Sequence, residues 1–184
     1  LKFNTDTKVV RVNEKYLKVT NEIQSTIHNF LSSKDGLLSI RSPMGTGKST
    51  IINNIIEEAH NEDIRVLIIT NRISVANDFG DKYNIKIYNR DQYNFGDSLI
   101  CQYDSLWRYN VKEGFDLVVM DEFISLMMHS RSNLNNSSLN IGKFFGSFYK
   151  KLVIADAFLT GYENFLLDNK KDNIHLIDKK LKQC

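Results

Sequence analysis

Disulfide frameworks, zinc fingers and membrane spans all lack raw material in this chain of 184 residues. Its 2 cysteines are Cys101, inside an apolar run, and Cys184, at the chain end. Two are too few for a disulfide scaffold or a zinc site, and both read as free thiols. The 4 histidines form no ligand cluster, and His129 reads as structural or solvent-facing. No apolar run approaches the ~20 residues of a transmembrane helix, and the first residues show no signal-peptide pattern. That points away from secretion and membranes, toward the cytoplasm, the nucleus or a viral replication compartment. Charge of one sign is also scarce, with 24 Lys and Arg against 22 Asp and Glu for a formal net charge of +2. So mild a balance neither diagnoses nor excludes a nucleic-acid partner. An initiator methionine is missing at Leu1, and the chain stops in the polar tail Asp178-Lys-Lys-Leu-Lys-Gln-Cys184. The expectation is a piece of a longer polypeptide.

What is present suits a compact α/β domain. Hydrophobic residues make up 42% of the chain, enough for a buried core at this length. Strand-like runs fall at Leu37–Ile40, Val66–Thr70, Ile85–Tyr88, Leu99–Gln102, Leu117–Met120, Leu152–Ala155 and Ile174–Ile177. Helical patterns lie between them, near 22–32, 48–60, 73–82, 103–109, 122–130, 138–149 and 160–168. There is no internal repeat and no low-complexity linker, and Ser130–Ser138 reads as an exposed loop. Such alternation predicts a doubly wound, mostly parallel sheet with helices on both faces. Ligands of such sheets bind beyond the carboxyl ends of the strands.

Two of those strand ends carry chemistry. Ser42-Pro-Met-Gly-Thr-Gly-Lys-Ser-Thr50 places a lysine and a hydroxyl behind a glycine turn, between an apolar run and a helix. Strand, loop and helix are the setting a phosphate-binding loop needs. Backbone N–H groups of such a loop converge at a positive helix end and hold polyphosphate oxygens. Lys48 then reaches the β- and γ-phosphates, and Ser49 ligates Mg²⁺. The pattern G-x-x-x-x-G-K-[ST] is met except at its first position, where Ser42 replaces glycine. The second site is Phe115-Asp-Leu-Val-Val-Met-Asp-Glu-Phe123, an apolar strand ending in two carboxylates. Asp121 suits the Mg²⁺ shell opposite Ser49, and Glu122 suits activation of the water that attacks the γ-phosphate. The alternative is structural, with Asp121 capping the next helix and Glu122 in its first turn.

These blocks resemble the first RecA-like domain (a P-loop NTPase) of superfamily 2 helicases, and most of all the herpesvirus-type origin-binding protein helicases of large DNA viruses and mobile elements. The resemblance is carried, in helicase order, by Arg41-Ser-Pro-Met-Gly-Thr-Gly-Lys48, Leu67-Ile-Ile-Thr-Asn-Arg72, Gln102-Tyr-Asp-Ser-Leu-Trp-Arg108, Met120-Asp-Glu-Phe-Ile-Ser125 and Ile154-Ala-Asp-Ala157. It implies an ATP-hydrolysing DNA motor with Lys48, Asp121 and Glu122 in catalysis. Met44, Gly45, Thr46, Gly47, Lys48, Ser49 and Thr50 would contact the nucleotide, and Ser49 and Asp121 the Mg²⁺. Thr70, Arg72 and Ser105 match backbone-contacting motifs, against the plainer reading of Thr70 to Arg72 as a helix cap with a solvated arginine. Asp156 and Thr160 match the motif that couples nucleotide to strand movement, although Asp156-Ala-Phe-Leu-Thr160 departs from the commoner Ser-Ala-Thr. Leu106 and Trp107 read as core, and Tyr16 as a packing tyrosine rather than an adenine platform. The implied organisation is an adenine-side helical segment over 1–36, the RecA-like domain over 37–178 and, from 179 to 184, the start of a linker to a second RecA-like domain. Implied partners are nucleic acid, DNA before RNA, that second domain and replication proteins. Two other classes stay open. A nucleoside or small-molecule kinase usually carries an arginine-rich lid, which does not follow Glu122 here. A nucleotide-gated binding module has no need of the water-activating acid.

Overall fold

Apolar runs without a polar face require cover on both sides, and the chain supplies it by alternating strands with helices. The structure, a computed structural model, describes residues 7–88, 90–108, 114–132, 149–160 and 173–179. In chain order these form β1 (Lys8–Arg11), α1 (Asn21–Ser32), β2 (Gly36–Arg41), α2 (Lys48–Asn61), β3 (Val66–Thr70), α3 (Ile73–Tyr83), β4 (Lys86–Ile87) and β5 (Leu99–Gln102). A 3₁₀ helix over Tyr103–Arg108, β6 (Phe115–Asp121), α4 (Phe123–Ser132), β7 (Tyr149–Asp156) and β8 (Ile174–Asp178) follow. The strands make one eight-stranded sheet in the order β1-β8-β2-β7-β6-β3-β5-β4. Every described pairing is parallel. The expected doubly wound parallel sheet is the fold.

Side chains alternate across that sheet and so feed two cores. Leu38, Ile40, Ile68, Val119 and Val153 pack with Ile23 and Ile27 of α1, Ile51 and Ile55 of α2, and Ala76 of α3. Their strand neighbours Leu37, Leu67, Ile69, Val118, Met120 and Ile154 pack on the other face with Phe123 and Leu126 of α4. Each such side chain contributes about 1.5–3 kcal/mol when fully buried. Lys151 interrupts the β7 run without cost to the pattern, because its ammonium donates to the carbonyls of Leu31 (2.5 Å) and Ser33 (3.0 Å) at the end of α1. Those carbonyls have no partner inside the helix, and a cation satisfies them.

The sequence pattern missed β1, an edge strand that buries only Val10 of its four residues and so lacks an apolar signature. The run expected at Ile85–Tyr88 shortens to Lys86–Ile87, and the helix expected at 103–109 is a 3₁₀ turn, the usual form for so short a piece. The helices expected near 138–149 and 160–168 lie outside the described residues, except that Tyr149 opens β7 and Thr160 lies in no helix. Among the described residues no helix is long and apolar enough to cross a membrane.

Candidate nucleotide site

Because all strands run the same way, Arg41, Thr70, Gln102, Asp121, Asp156 and Asp178 all close strands at one edge of the sheet. The loop leaving β2 is bent by Gly45 (φ 73°) and Gly47 (φ 96°), left-handed conformations that glycine adopts without strain. Gly47 is also the N-cap of α2, so the loop's amides lead directly into the positive end of that helix. Ser42, standing where the motif has glycine, is fully buried, and its hydroxyl bonds the hydroxyl of Thr46. Thr46 in turn donates to the Pro43 carbonyl at 2.6 Å. The replacement therefore closes the loop on itself rather than disturbing it. Lys48 Nζ donates to the carbonyls of Ser42 (2.9 Å) and Pro43 (3.3 Å), which holds the ammonium on the same loop. Met44, Gly45, Ser49 and Thr50 are exposed.

The segment before α1 braces this loop. Leu17 donates its amide to the Thr46 carbonyl at 2.7 Å. Its own carbonyl lies so near Gly47 that a Cβ there would stand 2.9 Å from it. Tyr16, expected to pack, is instead 49% exposed, because Leu17 takes the buried position beside it. The loop's other anchor is Arg41, whose guanidinium donates to both carboxylate oxygens of Asp178 at 2.9 and 2.8 Å and to the Leu159 carbonyl at 3.1 Å. No local pattern marks that pair, since the two lie on β2 and β8 and meet only through strand pairing.

Across β7 from the loop stands the acidic pair. Asp121 closes β6, and its Oδ1 accepts the Glu122 amide at 2.9 Å. Burial pushes its carboxyl above the ordinary range; the charges of Glu122 and Asp156 add to the rise, while the Glu122 amide and Lys48 oppose it. The last influence means that Lys48 and Asp121 feel each other's charge. Glu122 has a φ of 53°, rare for a residue with a side chain, and its carbonyl accepts the Leu126 amide as the first bond of α4. Asp121 is therefore not the cap of α4. That work falls to Asp156, whose Oδ2 accepts the Ile124 amide at 2.9 Å and whose Oδ1 accepts the Phe158 amide at 3.0 Å.

Beside the acids, Arg72 Nη2 lies 2.9 Å from Glu122 Oε1. Thr70 is buried, with its hydroxyl accepting the Arg72 amide at 3.2 Å. Ser105 sits half-buried in the 3₁₀ turn after β5, and Thr160 is exposed four residues beyond the end of β7. The structure thus gathers Lys48, Ser49, Asp121, Glu122, Arg72 and Asp156 along adjoining strand ends. The donor set fits Mg²⁺, a small hard cation that takes one or two protein oxygens and fills its octahedron with water and phosphate. Ser49 offers an exposed hydroxyl and Asp121 a carboxylate. A Cβ built on Gly45 meets nothing within 4 Å, so that side of the loop is open to a ligand.

Comparison with known proteins agrees with this geometry. The family model described as origin of replication binding protein matches residues 9–157. A protein of Acanthamoeba polyphaga mimivirus named as a replication origin-binding protein is 33% identical over 170 residues, covering 80% of this chain. The chain spans about a fifth of that relative's length, 21%. Among solved structures, the Sulfolobus solfataricus SWI2/SNF2 ATPase core in complex with dsDNA matches 87% of this chain and 35% of its own, at 14% identity and a TM-score of 0.51. The DUF1998 helicase MrfA matches 88% of this chain and 30% of its own, at 15% identity and a TM-score of 0.51. At such identities the structural likeness is one of fold, the RecA-like sheet. The family model reaches from β1 to the end of β7 and takes in both the phosphate loop and the acidic pair, so this chain belongs to the origin of replication binding protein family.

Proposed function

We propose that this chain is the ATP-binding motor domain of a nucleic-acid helicase or translocase and that the site above hydrolyses ATP. The observation that carries the reading is Lys48, held on a glycine-turned loop that opens α2 beyond the end of β2, at the same edge of the sheet as Asp121 and Glu122 at the end of β6. Lys48 and the loop amides hold the β- and γ-phosphates. Ser49 and Asp121 would hold Mg²⁺, which would supply charge neutralisation on the phosphate oxygens. Glu122 orients water, whose oxygen bonds to the γ-phosphorus as the bridge to the β-phosphate breaks. The bond's electron pair stays with ADP, and the water's proton leaves through the carboxylate. Arg72 and Ser105 contact the phosphodiester backbone of a bound strand, DNA in preference to RNA, and such contacts carry position rather than sequence. Full turnover draws on an arginine of a second RecA-like domain, worth about 10³ to 10⁵ in rate.

The deciding experiment is Mg²⁺-ATP turnover by the longest polypeptide that carries this chain, with and without single-stranded DNA, beside Lys48→Ala. Strand-stimulated turnover lost in Lys48→Ala is the expected result. Turnover indifferent to DNA and RNA would overturn the motor reading in favour of a kinase or a nucleotide-gated switch.

A further inference from the structure

Arg72 and Glu122 are far apart in sequence and meet only because of the sheet. β3 and β6 are paired neighbours, and each residue stands just beyond the carboxyl end of its strand. Arg72 occupies the N-cap of α3, whose first turn has no acidic residue, and a cation there opposes the helix macrodipole. The position does not serve the helix, so it suits a group kept for anionic partners. Glu122 sits where the macrodipole of α4 favours an acid, but with the strained φ of 53°.

We propose that Arg72 is a positioning residue that holds the Glu122 carboxylate away from the attacking water until a nucleic-acid phosphodiester takes the guanidinium and releases the acid. The proposal rests on the hydrolytic reading above and deepens it. The 2.9 Å contact engages Glu122 Oε1, so while it lasts that oxygen is turned to the guanidinium rather than to water. Both side chains are partly exposed, 59% for Arg72 and 36% for Glu122. Ion pairs in that setting are weak and screened by salt, so a polyanionic strand displaces the carboxylate while the guanidinium stays paired. The arginine exchanges one anion for another. Bond making and breaking in hydrolysis are unchanged; only the availability of the proton acceptor differs.

The test measures steady-state Mg²⁺-ATP turnover of the longest polypeptide carrying this chain, over a range of salt, with and without single-stranded DNA. Arg72→Ala and Arg72→Lys are compared with wild type, with Lys48→Ala and Glu122→Gln as controls. Arg72→Ala is expected to raise DNA-free kcat about two- to fivefold, the range an exposed ion pair can bias. The KM for ATP stays unchanged, and added DNA then does little. Wild-type DNA-free turnover rises with salt as the pair is screened, and that dependence flattens in Arg72→Ala. A DNA-free kcat that is unchanged or lower in a folded, ATP-binding Arg72→Ala variant overturns the gate. If Arg72→Ala does not fold by circular dichroism, Arg72→Lys, which keeps the charge without the guanidinium fork, decides by the same salt profile and kcat. Wild-type turnover insensitive to Lys48→Ala overturns the hydrolytic reading instead, so the two failures are distinguishable.

Discussion

Asp156 caps α4 from a neighbouring strand, its Oδ2 accepting the Ile124 amide at 2.9 Å. Its other oxygen accepts the Phe158 amide at 3.0 Å, so one carboxylate fastens the loop after β7 to the helix that follows the acidic pair. Movement of that loop therefore bears on the helix carrying Glu122 at its start. We propose this contact as the route by which the coupling role that the family resemblance implied for Asp156 would act.

Asp156→Ala is expected to lower unfolding free energy by about 2 kcal/mol, since two amides lose their acceptor. Asp156→Asn keeps an acceptor oxygen and should lose less than half of that. Urea unfolding followed by circular dichroism checks both, and equal losses for the two variants would show that charge rather than capping matters.

Gly47→Ala and Gly45→Ala should differ although both glycines have positive φ. At Gly47 the new Cβ would stand 2.9 Å from the Leu17 carbonyl, whereas at Gly45 it meets nothing within 4 Å. Gly45→Ala pays backbone strain alone, about 1–2 kcal/mol. Gly47→Ala adds displacement of the segment that braces Thr46, and its nucleotide affinity should fall at least tenfold. Calorimetric titration with a non-hydrolysable ATP analogue checks the order; equal affinities would contradict it.

Two groups, the half-buried Asp121 and the buried His175, give the stability profile opposite slopes. Burial raises the Asp121 carboxyl above its ordinary 3.8. The folded state therefore binds this proton more tightly than the unfolded chain, and stability falls as pH rises above 3.8 toward the raised folded value. Asp121→Asn should accordingly stabilise the protein at pH 7 and not at pH 3.5, while abolishing turnover. His175, buried on β8 beside Phe30, is lowered from 6.5, first by burial and then by the charge of Lys8. Its contribution is fully present above 6.5 and is lost as pH falls below that value, because the unfolded chain takes up the proton first. Thermal melts of His175→Leu should lose that acid limb below pH 6.5. An unchanged limb would assign it to other groups.

The sequence by itself determined which segments become central strands, because Val66–Ile69 and Leu117–Met120 are apolar on every residue and can only be buried on both faces. It also determined that Lys48 follows a glycine turn and that two acids end a strand, since these are local facts of chain order. The tertiary structure alone decided the rest. It added β1, whose single buried residue leaves no pattern to read. It seated Leu17 against Gly47, joined Arg41 to Asp178, gave the capping of α4 to Asp156 rather than Asp121, and set Arg72 on Glu122. Each of these contacts is made between strand ends or segments distant in sequence, and a parallel sheet fixes its neighbours by crossover and register, which no local periodicity encodes.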